Sequence, residues 1–330
     1  MKETLLCCRI TAQEKGLYRL CHDGVEQAAQ VSGKFQYEAL GPSDYPTVGD
    51  EVLADLNGGG QAVIHKVLPR KSLFLRKAAG TAREEQPVAA NVDILFLCMA
   101  LNNDFNLRRL ERYLAAAWNS GATPVVVLTK ADLCGNPSEK VAAVEEAASG
   151  TDVLLTSAAQ EDGIRPLLPY LTPGRTVAFV GSSGVGKSTL MNGLLGKEIL
   201  ATGGLRNDDR GRHTTTRRQM FFLPGGAALI DTPGMRELGL WDSESGLETA
   251  FADIEALARQ CRFQDCRHDK EPGCAVRAAL ASGELSEERF RSWQRLSAEN
   301  RYADDRAAHM SAKEKKFRMI AQFNKSNSKR

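Results

Sequence analysis

At 330 residues the chain is longer than one ordinary domain, and its 42% hydrophobic and 25% charged shares are those of a globular protein, which excludes wholesale disorder. Forty-three Lys and Arg against 41 Asp and Glu leave a formal charge of +2, a balance that singles out no class of partner. The longest apolar run, Ile94 to Leu101, is far short of the roughly 20 residues a membrane-spanning helix needs.

The opening residues MKETLLCCRITAQEKG hold only a very short apolar stretch before turning polar, so no secretory signal is predicted and the expected location is the cytoplasm. There Cys7, Cys8, Cys21, Cys98 and Cys134 are expected to be reduced and inert. To about Lys77, β-rich runs are broken by turn signals: Thr4 to Ile10, Leu17 to Leu20, the Gly41-Pro42 pair, Glu51 to Leu56, Asn57 to Gly60, and Ala62 to Val67. Such spacing predicts a small barrel or sandwich, and a five-stranded OB-type barrel fits the length.

From Ala90 apolar strands alternate with helical stretches, the signature of βαβ units around a mostly parallel sheet. Strands are predicted at Ile94 to Ala100, Pro124 to Leu128, Val153 to Leu155 and Thr176 to Val180, with helices at Leu107 to Asn119 and Ser138 to Ser149. Residues Gly203 to Arg218 read as an irregular loop, after which Gln219 to Leu223 and Ala227 to Ile230 return as strands. Beyond Ser243 the pattern is helical and ends in a basic tail, with seven Lys or Arg against the single acid Glu314 between Ser311 and Arg330. That tail reads as well as a solubilising surface helix as an RNA-binding one.

Gly181, Ser182, Ser183, Gly184, Val185, Gly186, Lys187, Ser188 and Thr189 fit the phosphate-loop pattern, with a strand before and a helix after. Glycines let the backbone N–H groups curl towards phosphates at a helix N-terminus. Lys187 is expected on the β- and γ-phosphates and Ser188 on Mg²⁺. Downstream, Asp231-Thr232-Pro233-Gly234 follows a strand: Asp231 can meet Mg²⁺ through water, and the Gly234 N–H can sense the γ-phosphate. Between them, among His213, Thr214, Thr215 and Thr216, Thr216 is the candidate to complete the Mg²⁺ shell.

Guanine recognition needs a carboxylate that accepts the ring N–H and the exocyclic amine together. Thr129, Lys130, Ala131 and Asp132 resemble the N-K-x-D element of GTPases with Thr in place of Asn; Asp132 would pair with the base and Lys130 lie along it. Thr156, Ser157 and Ala158 resemble the small base-contacting loop that follows. In ordinary Ras-like GTPases the phosphate loop comes first. Here both base-reading loops precede it, so the domain is circularly permuted.

Cys261, Cys266, His268 and Cys274 give a C-x4-C-x-H-x5-C spacing, a complete tetrahedral set for one structural Zn²⁺ with no open position.

With these loops in place, the chain resembles, nearly end to end, the circularly permuted, ribosome-small-subunit-dependent GTPases of bacteria. Further strings carry the likeness: Pro46-Thr47-Val48-Gly49-Asp50, Leu68-Pro69-Arg70-Lys71, Ala90-Asn91-Val92-Asp93, Gly211 to Thr216, Cys261-Arg262-Phe263 and Glu271-Pro272-Gly273-Cys274. The resemblance implies an N-terminal OB-fold RNA-binding domain over 1–77, a central permuted P-loop GTPase domain over 78–242 and a C-terminal helical zinc-binding domain over 243–330. It also implies GTP hydrolysis with Mg²⁺, stimulated by the 30S subunit, in late small-subunit maturation, with 16S rRNA and other assembly factors as partners. Nothing demands more than a monomer.

Two positions depart from ordinary GTPases. Thr129 replaces Asn, which is expected to soften GTP preference without abolishing it. Met235 stands where Ras-like enzymes carry the Gln that orients water, so intrinsic turnover is expected to be slow. His213 is a candidate substitute, though an RNA-binding or solvated histidine fits equally; the histidine that some relatives carry on the strand before D-x-x-G is replaced by Phe222. Two other classes stay open on the residues alone: a nucleotide-switched assembly factor without catalysis, and a P-loop ATPase or kinase with an RNA-binding appendage.

Overall fold

The computed structural model describes residues 5–14, 16–56, 60–77, 85–160, 162–200, 218–232 and 244–301. By packing, the chain divides into two compact units, Met1–Gly239 and Leu240–Arg330.

The first unit begins with a closed five-stranded barrel. Strands β1 (Leu6–Glu14), β2 (Leu17–His22), β3 (Val25–Val31), β4 (Glu51–Asp55) and β5 (Ala62–Val67) run in the order β1-β2-β3-β5-β4, and β4 pairs back onto β1. The pair β3–β5 is parallel and β1–β4 antiparallel, with a short helix α1 (Gly33–Glu38) between β3 and β4. This is the OB arrangement. Ser32 caps α1, its side chain accepting from the Phe35 N–H. Alternating inward residues, among them Ile10, Leu20, Ala29, Val52 and Ile64, fill the barrel.

β3 and α1 were not predicted. VEQAAQV lacks the β-branched, aromatic alternation that marks a strand; its place is set by pairing with β2 and β5. A further hairpin-like pair, β6 (Leu73–Lys77) and β7 (Glu85–Ala90), stands between barrel and main sheet and was also missed.

Next comes the α/β sheet of β8 (Ile94–Ala100), β9 (Thr123–Thr129), β10 (Val153–Leu155), β11 (Thr176–Gly181), β12 (Arg218–Phe222) and β13 (Ala228–Asp231). Its order is β10-β9-β8-β11-β13-β12, parallel except for β12, and it runs on into the barrel where β12 pairs with β1. Every residue of β8 is buried, as expected of a central strand covered on both faces. Helix α2 (Leu107–Asn119) buries Leu110, Tyr113, Leu114 and Ala117 on one face. Asn106 caps it through the Arg109 N–H at 2.9 Å. Helices α3 (Pro137–Ala147) and α4 (Lys187–Leu195) follow.

Strings noted only through the resemblance converge where barrel and sheet join. The Asp50 carboxylate, wholly buried, takes two bonds from Arg70 at 2.7 Å each and one from the Thr47 N–H at 2.7 Å. Gly49, at φ +95°, lies so close that a Cβ there would run into the Ala90 carbonyl. Asn91 bridges the Gly49 carbonyl and the Lys71 N–H. Asp93 accepts from the Thr176 N–H at 2.7 Å and pairs with Lys71, and Arg9 of β1 donates to the Thr176 hydroxyl at 2.7 Å.

The second unit is helical: α5 (Glu244–Ala250), α6 (Ala252–Ala258), α7 (Ala275–Ser282) and α8, described over 287–301. Arg289 is held by a two-bonded ion pair with Asp253 at 2.6 and 2.7 Å and lies over the Phe251 ring.

Candidate functional site

The phosphate loop spans the turn from β11 to α4. Gly181 ends the strand at φ +154°, and a Cβ there would strike the Cys98 carbonyl on neighbouring β8; Gly186, at φ +107°, starts the helix. The backbone can therefore curl only without side chains at these positions. Lys187, 7% exposed, donates to the Gly181 and Ser182 carbonyls at 2.7 Å each, and Ser188 is half-buried beside it. Burial pushes the Lys187 ammonium below its ordinary value, against the opposing pull of Cys98, Asp231 and Asp104. Asp231, buried at the end of β13, is pushed up by the same burial and held back by Lys187. A buried cation and carboxylate thus flank a loop of backbone donors, a setting that favours a polyphosphate with a divalent ion.

The two loops predicted to read the base lie at the ends of the adjoining strands, β9 and β10. Thr129 donates its hydroxyl to the Val185 carbonyl at 2.5 Å, and Lys130, in a left-handed conformation at φ +58°, reaches the Gly184 carbonyl at 2.7 Å. Both tie their loop directly to the phosphate loop. The Asp132 carboxylate is exposed and accepts from the Ser157 hydroxyl at 2.5 Å, while the Ala131 N–H donates to the Thr156 carbonyl at 3.2 Å. Ala158 and Ser183, Gly184 and Thr189 of the phosphate loop are exposed and free to face a ligand.

Residues 129–132, 156–158, 181–189 and 231 are therefore brought to one end of one sheet. His213, Thr216, Gly234 and Met235 lie outside the described residues, as does the basic tail. Phe222 pairs with Ala228, three residues along β13 from Asp231, and its ring is half exposed. At roughly 3.3 Å per residue that is about 10 Å from the strand end where Asp231 sits. The sequence offered no sign of Tyr113, whose hydroxyl hydrogen-bonds the Ser182 side chain from α2, nor of Asp104 near Lys187. Both come from a helix and loop whose pattern shows only amphipathicity.

In the second unit Cys261, Cys266, His268 and Cys274 place their ligand atoms within 4.8 Å of one another. Cys261 Sγ and Cys274 Sγ are 3.8 Å apart, and His268 Nδ1 is 3.6 and 3.5 Å from them. A tetrahedron with Zn–S bonds of about 2.3 Å has S–S edges of about 3.8 Å and shorter S–N edges, so the donor set fits Zn²⁺. Local backbone holds it. His268 adopts φ +61°, Cys274 caps α7 through the Arg277 N–H, and Glu271 accepts from the N–H groups of Arg267, Asp269 and Lys270. Those backbone bonds, Arg267's above all, draw the Glu271 carboxyl down to about 2.

Comparison with known proteins agrees with this architecture. The RsgA GTPase family model matches residues 67–241. A second model, for ABC transporters, matches residues 166–329, a stretch that includes the phosphate loop. The chain is 50% identical over 295 residues to the small ribosomal subunit biogenesis GTPase RsgA 2 of Lactiplantibacillus plantarum, covering 89% of this chain and 83% of that one. It is 45% identical over 308 residues to the small ribosomal subunit biogenesis GTPase RsgA of Methanosarcina acetivorans, covering 93% and 82%. The crystal structure of YjeQ from Thermotoga maritima superposes with a TM-score of 0.66 at 28% identity, over 89% of this chain and 97% of that one. That of YloQ, described as a circularly permuted GTPase, shares the fold with a TM-score of 0.63 at 23% identity. With the family model spanning more than half of the residues and relatives 45% and 50% identical covering most of them, the chain belongs to the RsgA GTPase family.

Proposed function

We propose that this protein is a cytoplasmic GTP hydrolase that acts in biogenesis of the small ribosomal subunit, with turnover stimulated by that subunit. The observation that carries the guanine reading is the assembled site, where the loop bearing Asp132 is bonded through Thr129 and Lys130 to the phosphate loop. The names of these relatives, 50% and 45% identical, support the ribosomal role.

Each residue has a chemical task. Asp132 accepts the guanine ring N–H and amine, and Ser157 orients that carboxylate. The N–H groups of Gly181 to Thr189 cradle the phosphates, and Lys187 exchanges its two carbonyl partners for β- and γ-oxygens. Mg²⁺, which neutralises charge developing between those oxygens, would be held by Ser188, Asp231 and Thr216. The Gly234 N–H senses the γ-phosphate. With Met235 in place of a water-orienting Gln, hydrolysis waits on an outside contribution, and His213 is the candidate within the chain. The cycle works as a timer: GTP orders the segments around Thr216 and Gly234, and hydrolysis releases them.

In this scheme the barrel over 1–77 and the basic C-terminal residues hold 16S rRNA, the segment 78–242 hydrolyses, and 243–330 is a zinc-stabilised helical domain that receives the switch movement through the chain following Asp231. The protein acts as a monomer alongside other assembly factors. Co-sedimentation tests the timer. The protein should pellet with purified 30S subunits when loaded with a non-hydrolysable GTP analogue and remain largely unbound with GDP; equal pelleting with both would overturn it.

A further inference from the structure

A cleft of about 400 Å³ opens within the first unit where the barrel meets β7 and β12, away from the phosphate loop. One wall is polar. Arg218 of β12 is only 9% exposed, and its Nη1 donates to the Pro87 carbonyl at 2.6 Å and to Gln13 Oε1 at 3.3 Å. Neither acceptor carries a charge, and among the described residues its Nε and Nη2 have no partner. Arg76 stands opposite Gln86 in the β6–β7 register and gives two bonds to the neutral Gln86 Oε1, at 2.9 and 2.7 Å. Among the described residues no carboxylate lines the cleft. Burial, with Arg76 adding to it, draws the Arg218 guanidinium down to about 10. A cation so placed lacks the counter-charge that buried cations ordinarily have.

The other wall is apolar. It includes Leu40, 77% exposed, with Pro42, Tyr45 and Pro46. The volume is that of small-ligand sites. A guanidinium with free N–H groups suits phosphate, and flat apolar surface suits a nucleobase. A polymer as its source follows from the rRNA-binding role proposed for the barrel rather than from the cleft alone.

We propose that this cleft takes one nucleotide of a single-stranded RNA segment, with its phosphate on Arg218 and its base against Leu40, Pro42 and Tyr45. The inference rests on the RNA-binding role proposed for the barrel, and it names a place and a chemistry for it.

Binding of a fluorescently labelled single-stranded RNA pentamer, followed by anisotropy on the full chain saturated with GDP, tests this. Arg218→Met should weaken binding roughly tenfold and reduce the salt slope by about 0.7, the contribution of one single-strand phosphate. Leu40→Glu, at a position 77% exposed that folding tolerates, should weaken it similarly by replacing apolar surface under the base with a charged carboxylate. Uridine 5′-monophosphate should compete only weakly. Unchanged affinity and slope in both variants would overturn the site, and competition by the monophosphate as tight as the pentamer's own binding would overturn RNA as its source. Subunit-stimulated GTP hydrolysis is a separate readout, so failure of the cleft and failure of the proposed function are told apart.

Discussion

Asp132 is the side chain we propose sets nucleotide choice. Its carboxylate is exposed, bonded to Ser157 and on a loop anchored to the phosphate loop, so it presents acceptors only. Asp132→Asn replaces one acceptor with a donor, which no longer matches the guanine amine but matches the carbonyl that xanthine carries there. Labelled GDP should bind at least roughly a hundredfold more weakly, since one charge-assisted hydrogen bond is replaced by a donor facing the amine and the other loses its charge, while XDP binding improves; calorimetry with both nucleotides checks it, and unchanged GDP affinity would remove Asp132 from the base site. At this scale the sequence was most legible where chemistry forces a residue type. Gly181 must lack a Cβ because the Cys98 carbonyl is in the way, so a glycine marks the spot. Thr129 in place of Asn is expected to soften GTP preference, while its bond to the Val185 carbonyl, made between residues 56 apart, had no sign in the sequence.

Among elements, those with strong local patterns were readable and those made by their neighbours were not. β8, β9 and β11 are apolar runs, and α2 carries a clear buried face, so each was legible. β3 is Val-Glu-Gln-Ala-Ala-Gln-Val, a strand because β2 and β5 flank it. The zinc cluster is legible for another reason: its ligands fall within fourteen residues, so spacing alone encodes the geometry. Apart from α8, the described helices of the second unit are small, α5 and α6 of seven residues each and α7 of eight, too short to be stable alone. Zinc binding should therefore supply folding energy there. Cys266→Ser should lower zinc content towards zero by elemental analysis and increase proteolytic cleavage within 240–330, and chelation of the wild type should do the same. Full metal content in the variant would contradict the ligand set.

At the scale of the whole molecule, permutation is what the linear order of motifs reveals and the sheet accommodates. The loops proposed to read the base, at 129–132 and 156–158, precede the phosphate loop at 181–189, yet parallel pairing of β10, β9, β8 and β11 brings all of them to the same sheet end. The price of that order is that Asp231 comes last, with the chain continuing from it towards the zinc-binding helices. The join between barrel and sheet was legible only as strings shared with the family. Its physical content is the Arg70–Asp50 pair, the Gly49 approach to Ala90 and the Arg9 bond to Thr176, all between residues far apart in the chain.

The central claim is that this site hydrolyses GTP under the control of the small ribosomal subunit, and the most direct measurement is phosphate release from GTP with and without purified 30S subunits. The expected result is a slow basal rate that rises at least roughly tenfold with subunits, disappears in Lys187→Ala and is not reproduced with ATP. A rate that subunits leave at its basal value, or that Lys187→Ala retains in full, would contradict the account.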